Sequence, residues 1–436
     1  MCLWGLTNLG KDTAQRRVAC WQEPVFETSF REILALPRWA FGLTLRYQIV
    51  TFHTIGRCKP PNFRLAESIA ITYIFPNTFR VQEEREHMKD GKFVLDAHTG
   101  FWDASKENIK NEYGLAFAET FYAFQTGFNP PDPKWTMDFD KEFRKVDPDW
   151  YLHHMFVRGE MDMAILSTQV LMDFYHTGFT NSKRNAEMVA RAPERLIGLG
   201  GVDPRDKNAT KQMRQQVEEY GMKGFKWYTA EWRGESRGWK ANDPAVFPCY
   251  EEAIAMGVKN MHFHKGPAVE PLSMEKFDVY DIDEPSSLYP ELNFIVDHIG
   301  LPRLDEFCWI AARSTNVYAS LAVANAFIHK RPRYFGEMMA NLLFWLGEDR
   351  IIWGTDFPIW YPHWILDEFM EYQIPDDIAE EFGVQLTPEI KAKIIGGNVA
   401  RLYGIDTDAK LKQIENDEFS QRRKEFLANQ ATYVGA

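Results

Sequence analysis

The sequence predicts an α/β fold, namely a closed (β/α)₈ barrel with an N-terminal extension and with long loops on its C-terminal face. Three observations favour this fold. From Phe93 onward, short apolar segments alternate with longer amphipathic segments, which is typical of parallel strands joined by helices. Eight such apolar segments can be counted, and several end in His, Asp or Gly. No GxGxxG turn follows the first segment, although an open dinucleotide-binding sheet would often have one there.

The eight predicted strands are short and mainly apolar. They are Phe93–Thr99, Met163–Thr168, Leu196–Val202, Gly224–Thr229, Lys259–His264, Leu292–His298, Val317–Leu321 and Ile351–Gly354. Helices are expected between them, for example at Asn208–Tyr220 and at Pro244–Met256, where Asp243 would cap a helix with proline in its first position. Residues 93–405 are therefore predicted to form one barrel domain.

The two ends of the chain differ from this pattern. Residues 1–92 show no alternation of strands and helices and are rich in Arg, Phe and Pro. They are interpreted either as an extension that wraps the barrel or a partner subunit, or as a partly ordered tail. Residues 406–436 are charged and composed of good helix formers, so we expect a peripheral helical tail there.

Composition limits the class of protein. Apolar residues make up 45% of the 436 residues, which is enough for a large core, and the formal net charge is −12. So acidic a surface argues against nucleic acid and anionic membranes as partners. Five scattered cysteines without a CxxC pair favour a reducing cytoplasm over a disulfide framework. With no membrane-helix or signal-peptide pattern, we expect a cytoplasmic protein that binds a small molecule.

Two unusually long loops follow predicted strands one and four. They run from Phe101 to Tyr151 and from Ala230 to Asn242, and both are rich in aromatic residues. In a barrel both would lie over the C-terminal face, where active sites are found. They are therefore interpreted as lids over a site, or equally as an interface with another chain.

Polar residues at strand ends are the candidates for chemistry. A single His on an apolar strand is usually a buried core residue, but a barrel brings several strand ends together around one axis. Imidazole and carboxylate groups suit Zn²⁺, Mn²⁺ or Fe²⁺. The candidate metal ligands are His98, His264, His298, Asp356 and Asp96.

The alternation of side chains along a strand refines this set. Residues two apart share a face, so Asp96 and His98 are expected on the same side of strand one. By the same rule His262 lies one layer deeper than His264. We therefore favour His264 as the ligand and His262 as a supporting or core residue.

Four fragments carry a resemblance to a known family. HFHKGP, FIVDHIG, IIWGTDFP and GGNVARLYG resemble motifs of the amidohydrolase-related superfamily, in the amidohydrolase 2 group that includes aminocarboxymuconate-semialdehyde decarboxylase. The resemblance covers about residues 93–405 and implies a TIM barrel. It implies a metal held by an HxH pair on strand one, here including His98, by His264 and by Asp356. It also implies that His298 binds a second metal or orients water, and that the segment beginning at Asn398 caps a helix.

The chain departs from the family pattern at Gly100, which stands where the second His of strand one is expected. Glycine has no side chain and cannot bind a metal. Three consequences stay open: another residue replaces the ligand, the site holds one metal with open positions, or the usual chemistry is lost. The replacement candidates are Asp96, His153, His154 and Glu231. For Lys226 on strand four, packing or substrate contact is favoured over the metal-bridging role that a carbamylated Lys has in some relatives.

The resemblance implies metal-assisted hydrolysis or non-oxidative decarboxylation of a small carboxylate or amide substrate. Zinc is the favoured cofactor, with iron or manganese as alternatives. His298 would be the general base, and Asp356 would both bind metal and accept a proton.

Two other functions remain as alternatives. The loop KWYTAEWRGESRGWKANDP indicates a subunit of an oxygen-activating hydroxylase with iron or manganese, resembling the two-component 2-aminoisobutyrate hydroxylase. Gly100 and the N-terminal extension would also fit a supporting metal-binding subunit of such a complex. We therefore expect a homo-oligomer or a hetero-oligomer with a related barrel subunit.

Overall fold

The computed structural model of the chain describes residues 91–434. The expectations for the N-terminal extension therefore fall almost entirely outside the described residues. The strands are β1 (Leu95–Thr99), β2 (Met163–Leu166), β3 (Leu196–Gly198), β4 (Gly224–Trp227), β5 (Asn260–His264), β6 (Asn293–Asp297), β7 (Val317–Ser320) and β8 (Ile351–Ile352). All eight predicted strands are confirmed, and each of them is shorter at one or both ends than predicted.

Helices occupy the connections between the strands and the end of the chain. They are α1 (Glu112–Phe128), α2 (Pro148–Leu152), α3 (Ser182–Val189), α4 (Ala209–Glu218), α5 (Phe247–Ala255), α6 (Asp283–Leu288), α7 (Leu304–Arg313), α8 (Phe327–Lys330), α9 (Pro332–Leu346), α10 (Pro362–Glu371), α11 (Asp376–Phe382), α12 (Pro388–Ala392), α13 (Asn398–Tyr403), α14 (Thr407–Ile414) and α15 (Glu418–Val434). The last two lie within residues 406–436, the range of the predicted tail. None of the helices in residues 91–434 is long and apolar enough to cross a membrane.

The helical start predicted at Pro244 was wrong, because α5 begins at Phe247. The Asp243 carboxylate accepts a hydrogen bond from the Lys240 backbone N–H at 2.7 Å. It therefore closes the turn that precedes α5 and is not available as a helix cap.

The eight strands are parallel and close into a barrel. Hydrogen-bonded ladders join each strand to the next in two runs, one from β1 through β2 to β3 and the other from β4 through β5, β6 and β7 to β8. The Lys226 N–H donates to the Gly200 carbonyl at 2.8 Å, which joins β4 to the end of β3. The Ala97 N–H donates to the Trp353 carbonyl at 3.1 Å, and the Gly100 N–H donates to the Phe357 carbonyl at 2.7 Å. These bonds join β1 to the segment that follows β8 and complete the cylinder.

Strand β1 contains an irregularity that changes which side chains face inward. Asp96 pairs with Ala164 of β2, and Thr99 pairs with Leu166. Between these two pairs β1 advances by three residues, whereas β2 advances by only two. One extra residue in a strand is a β-bulge, and it interrupts the alternation of faces. The expectation that Asp96 and His98 share a face was therefore wrong.

The core consists of an outer apolar cluster between strands and helices and a smaller inner cluster. The inner cluster includes Leu95, Ala97, Ile295, Ile352 and Val399. Helix α13 joins this cluster through Val399, and the Asn398 side chain donates to the Glu348 and Ile351 carbonyls. The predicted helix-cap role of Asn398 was wrong, because its amide ties α13 to the start of β8 and makes no cap hydrogen bond.

The long loops after β1 and β4 pack against each other. The Trp232 ring from the second loop lies 5.0 Å from the Tyr113 ring of α1 and 5.1 Å from the Phe174 ring. The Arg237 guanidinium lies 4.0 Å from the centre of the Trp232 ring, a favourable cation–π contact. The aromatic residues of these loops therefore form contacts within the chain.

Candidate metal centre

Three buried side chains meet where β1, β6 and β8 end. Each of His98, His298 and Asp356 offers one ligand atom, and these atoms lie within 4.8 Å of one another. His98 Nε2 lies 3.4 Å from Asp356 Oδ1. Because the carboxyl ends of the strands surround the barrel axis, three residues far apart in sequence reach one point.

The predicted residue His264 joins this cluster through His298. Its Nδ1 lies 2.9 Å from His298 Nε2. The opposite nitrogen of each ring faces a backbone carbonyl: His298 Nδ1 lies 3.0 Å from the Ala322 oxygen, and His264 Nε2 lies 3.0 Å from the Pro267 oxygen. A carbonyl can only accept, so each of these outer nitrogens carries the proton.

This assignment leaves two lone pairs directed at each other. A proton between the rings could join them, but burial lowers the pKa of His264 well below its usual value and the pKa of His298 to about 4. Both rings are therefore neutral near pH 7, and their inner nitrogens can only accept. Facing acceptors without a positive charge between them repel each other, so this geometry fits a bound cation.

His98 is oriented by a carboxylate that the sequence interpretation did not single out. His98 Nδ1 lies 3.2 Å from Asp297 Oδ1, and both side chains are almost fully buried. The other Asp297 oxygen accepts a hydrogen bond from Lys226 Nζ. Asp297 and the Asp356 contact raise the pKa of His98 to about 9 against the opposing effect of burial. A carboxylate behind a histidine is a common arrangement at metal sites, because it fixes the ring orientation.

Two further predictions concern Lys226 and His262, which lie next to Asp297. The amino group of Lys226 is paired with Asp297, which agrees with packing as its favoured role. His262 is fully buried, and its Nε2 lies 2.9 Å from the Tyr403 hydroxyl. His262 therefore lies beneath His264 and outside the cluster, in the position that the alternation along β5 predicts.

The backbone at these strand ends adopts unusual conformations. His298 has φ 69°, Ile299 has φ 50° and Asp356 has φ 63°, which non-glycine residues rarely adopt. A Cβ atom added at Gly266 would lie 2.5 Å from His298 Cβ, so the loop after β5 approaches His298 too closely for a side chain. Strained backbone that the surrounding structure maintains is common at functional sites.

The structure does not bring Asp96 into the cluster. Its carboxylate accepts hydrogen bonds from the Thr355 N–H and hydroxyl and from the His98 N–H. Burial raises its pKa to about 7. Because of the bulge in β1, Asp96 links β1 to the segment after β8 and His98 alone reaches the centre.

The space beside Gly100 is occupied by another residue. A Cβ at Gly100 would lie 2.9 Å from Trp102 Cε3. The Trp102 indole is held in place, because its N–H donates to the Phe143 carbonyl at 2.6 Å and its ring stacks on Phe179 at 5.4 Å. An indole therefore fills the space into which a side chain at position 100 would project.

The other proposed replacements for Gly100 also lie outside the cluster. His154 packs 4.4 Å from the Trp150 ring, and His153 packs 5.8 Å from the Phe426 ring of α15. Glu231 Oε1 accepts from the Met172 N–H at 3.4 Å. No replacement ligand is found among the residues that the structure describes.

Tyr228 is a second residue near the centre that the sequence interpretation did not single out. Its ring meets the His264 ring edge-on at 4.6 Å. Burial and the Asp356 charge raise the pKa of Tyr228 well above its usual value, so it is a protonated phenol. Its spacing from Lys226 was the available signal, because residues two apart share the inner face of β4.

Several solved structures are similar to this chain at low sequence identity, and the one with a TM-score above 0.5 shows the same fold. An uncharacterised TIM-barrel protein from Bordetella bronchiseptica is 16% identical, with 71% of this chain and 98% of that chain covered and a TM-score of 0.52. A 2,6-dihydroxybenzoate decarboxylase complexed with 2,6-dihydroxybenzoate is 16% identical, with 72% and 99% covered and a TM-score of 0.48. A 5-carboxyvanillate decarboxylase from Novosphingobium aromaticivorans, complexed with manganese and 4-hydroxy-3-methoxy-5-nitrobenzoic acid, is 16% identical, with 73% and 97% covered and a TM-score of 0.48.

The sequence comparisons identify the family. No curated protein matches the chain, but the family model described as amidohydrolase matches residues 95–405. That range contains the whole barrel and all the clustered side chains. The chain therefore belongs to the amidohydrolase family, and it is an enzyme.

Proposed function

We propose that this protein is a divalent-cation-dependent enzyme that hydrolyses or decarboxylates a small carboxylate or amide substrate. The observation that carries the proposal is the convergence of the His264 and His298 lone pairs beside His98 and Asp356. Four buried groups with imidazole and carboxylate ligands suit a divalent cation. Membership of the amidohydrolase family supports this chemistry.

The residues that would hold the cation are His98, His264, His298 and Asp356. Gly100 contributes no ligand, so the four groups would leave coordination positions of the cation open, as catalytic sites require. When bound, the cation would lower the pKa of a water molecule and polarise a carbonyl or carboxylate. The ligand set fits zinc, manganese and iron alike, so we do not assign zinc over the others.

Asp356 and His298 would accept and return protons during the reaction. Hydrogen bonding and charge from His98 lower the pKa of the Asp356 carboxyl despite its burial, so the carboxylate is ionised and can accept a proton. The Ala322 carbonyl holds the proton on His298 Nδ1, so the single lone pair of this ring is on Nε2, and it can accept a proton only while the other three groups hold the cation. Asp96 is proposed to support the site through Thr355 and not to bind the cation.

The alternatives of an oxygen-activating hydroxylase and of a supporting subunit have no specific observation in their favour. Assembly with a related barrel and a cytoplasmic location stay predictions.

A substrate panel tests the proposal. The protein is stripped with a chelator, reloaded with Mn²⁺, Zn²⁺ or Fe²⁺, and supplied with hydroxybenzoates, aliphatic carboxylates, lactones and amides. We expect turnover, measured as carbon dioxide release or as hydrolysis product, only in the reloaded protein. Asp356→Asn should lose it, whereas the control His329→Gln, which alters a histidine paired with Glu368 outside the cluster, should keep it. Turnover that survives stripping, or that consumes dioxygen, would contradict the proposal.

A further inference from the structure

The hydroxyl of Tyr228 is buried and has no hydrogen-bond partner within the described part of the chain. Buried polar groups nearly always have partners, so such an exception needs an explanation. Other buried tyrosines nearby are satisfied. Tyr175 donates to the Gly114 carbonyl at 2.6 Å, and the Tyr151 and Thr99 hydroxyls are hydrogen-bonded at 2.6 Å.

The position of Tyr228 follows from the register of the barrel. Lys226 of β4 pairs with His262 of β5, so Tyr228 lies level with His264, one layer closer to the C-terminal face. The Tyr228 ring is held between His264, at 4.6 Å, and Phe277, at 5.0 Å. These two contacts restrict the ring, so the hydroxyl has a fixed direction.

The surroundings of the hydroxyl indicate what it meets. The Tyr228 ring contacts the His264 ring, so the side chain lies beside the candidate metal centre, and Asp356 is the charge that contributes most to the raised pKa of Tyr228. No carboxylate or carbonyl of the described residues accepts a hydrogen bond from the Tyr228 hydroxyl. The phenol can therefore donate its proton to an acceptor on a bound molecule.

We propose that Tyr228 donates a hydrogen bond to a carboxylate oxygen of the substrate and so orients it at the metal centre. This inference rests on the proposed function, because it needs the substrate to bind beside the cation. A hydroxyl donor favours an anionic oxygen as its partner. It therefore favours a carboxylate over an amide among the substrates of the proposed reaction.

Two tyrosine variants with opposite expectations test the inference. Tyr228→Phe removes the unpaired hydroxyl, whereas Tyr250→Phe removes a buried hydroxyl that donates to the Ala241 carbonyl at 2.8 Å. Each full-length protein is loaded with Co²⁺, its metal content is measured, and benzoate is titrated while the visible absorption of the cobalt is followed. Thermal unfolding of the metal-free proteins is recorded separately.

We expect Tyr228→Phe to bind cobalt normally, to unfold at the same or a higher temperature than the unaltered protein, and to bind benzoate about tenfold more weakly or worse. Tyr250→Phe should unfold at a lower temperature and bind benzoate normally. Unchanged benzoate affinity in Tyr228→Phe, no benzoate binding to the unaltered protein, or a loss of stability equal to that of Tyr250→Phe would overturn the inference. Failure of the unaltered protein to bind cobalt would instead overturn the proposed function and, with it, this inference.

Discussion

At the scale of single residues, His98 reaches the candidate metal centre with its ring oriented by Asp297. The carboxylate lies 3.2 Å from His98 Nδ1, so the other ring nitrogen faces Asp356. Lys226 compensates the charge of Asp297 in a fully buried environment. The orientation of one proposed ligand therefore depends on an ion pair in the layer beneath it.

Asp297→Asn should weaken metal binding about 10- to 100-fold, because supporting carboxylates have effects of that size at metal sites. The dissociation constant is measured by competition with a chromophoric chelator. The matched control is Asp281→Asn, which alters another buried carboxylate paired with a lysine, Lys265, at 2.7 Å. It should lower stability and leave metal affinity unchanged. Equal metal affinity in Asp297→Asn and the unaltered protein would refute the role of Asp297.

Single residues also show what sequence patterns can predict. His98, His264, His298 and Asp356 were predictable because each lies at the end of an apolar strand, and a barrel brings such ends together. Asp297 was missed because its role depends on contacts with two other strands, which the sequence pattern along one strand does not contain.

At the scale of elements, the bulge in β1 and the packing of Trp102 determine which side chains of this segment reach the candidate metal centre. The bulge places the Asp96 and His98 side chains on different faces of β1. The alternation along one strand does not predict a bulge, because the extra residue is visible only in the pairing of β1 with β2. Helix α5 starts late for a similar reason, since a local turn uses the Asp243 carboxylate.

Restoring histidine at position 100 should not restore a ligand. Its Cβ would collide with Trp102, so we expect Gly100→His to lower the free energy of unfolding by about 1–3 kcal/mol without raising metal affinity. Urea denaturation measures the first quantity and chelator competition the second. Gly127→His is the control, because a Cβ there meets no atom within 4 Å, and its stability should change far less. A stable Gly100→His protein with tighter metal binding would refute the packing argument.

At the scale of the whole molecule, the loop after β4 contains a buried carboxyl that links stability to pH. Burial, with a contribution from Asp203, raises the pKa of Glu231 to about 7 from an ordinary value of 4.5. The folded state therefore holds this proton more tightly than the unfolded state does. The contribution of Glu231 to stability is fully present below pH 4.5 and is lost as the pH rises to about 7.

Glu231→Gln should remove this dependence. The variant should gain stability relative to the unaltered protein as the pH rises from 5 to 8, by at most about 3 kcal/mol. Urea denaturation at both pH values measures the difference. Glu235→Gln in the same loop is the control, because Glu235 is exposed, and it should show no such gain. Parallel pH curves for Glu231→Gln and the unaltered protein would contradict the expected titration.

The whole barrel was predictable because its strands and helices follow strong apolar patterns, and the family model covers the same range. The packing of the loops after β1 and β4 against each other was not predictable from the sequence, because contacts such as that of Tyr113 with Trp232 join segments far apart in the chain.

The most direct test of the account is the metal content of the purified protein, measured by plasma mass spectrometry alongside variants of the cluster. We expect bound divalent cation in the unaltered protein and in the control His329→Gln, and strongly reduced content in His264→Gln and in Asp356→Asn. Absence of bound cation after reloading, or unchanged content in both cluster variants, would contradict a cation held by His98, His264, His298 and Asp356.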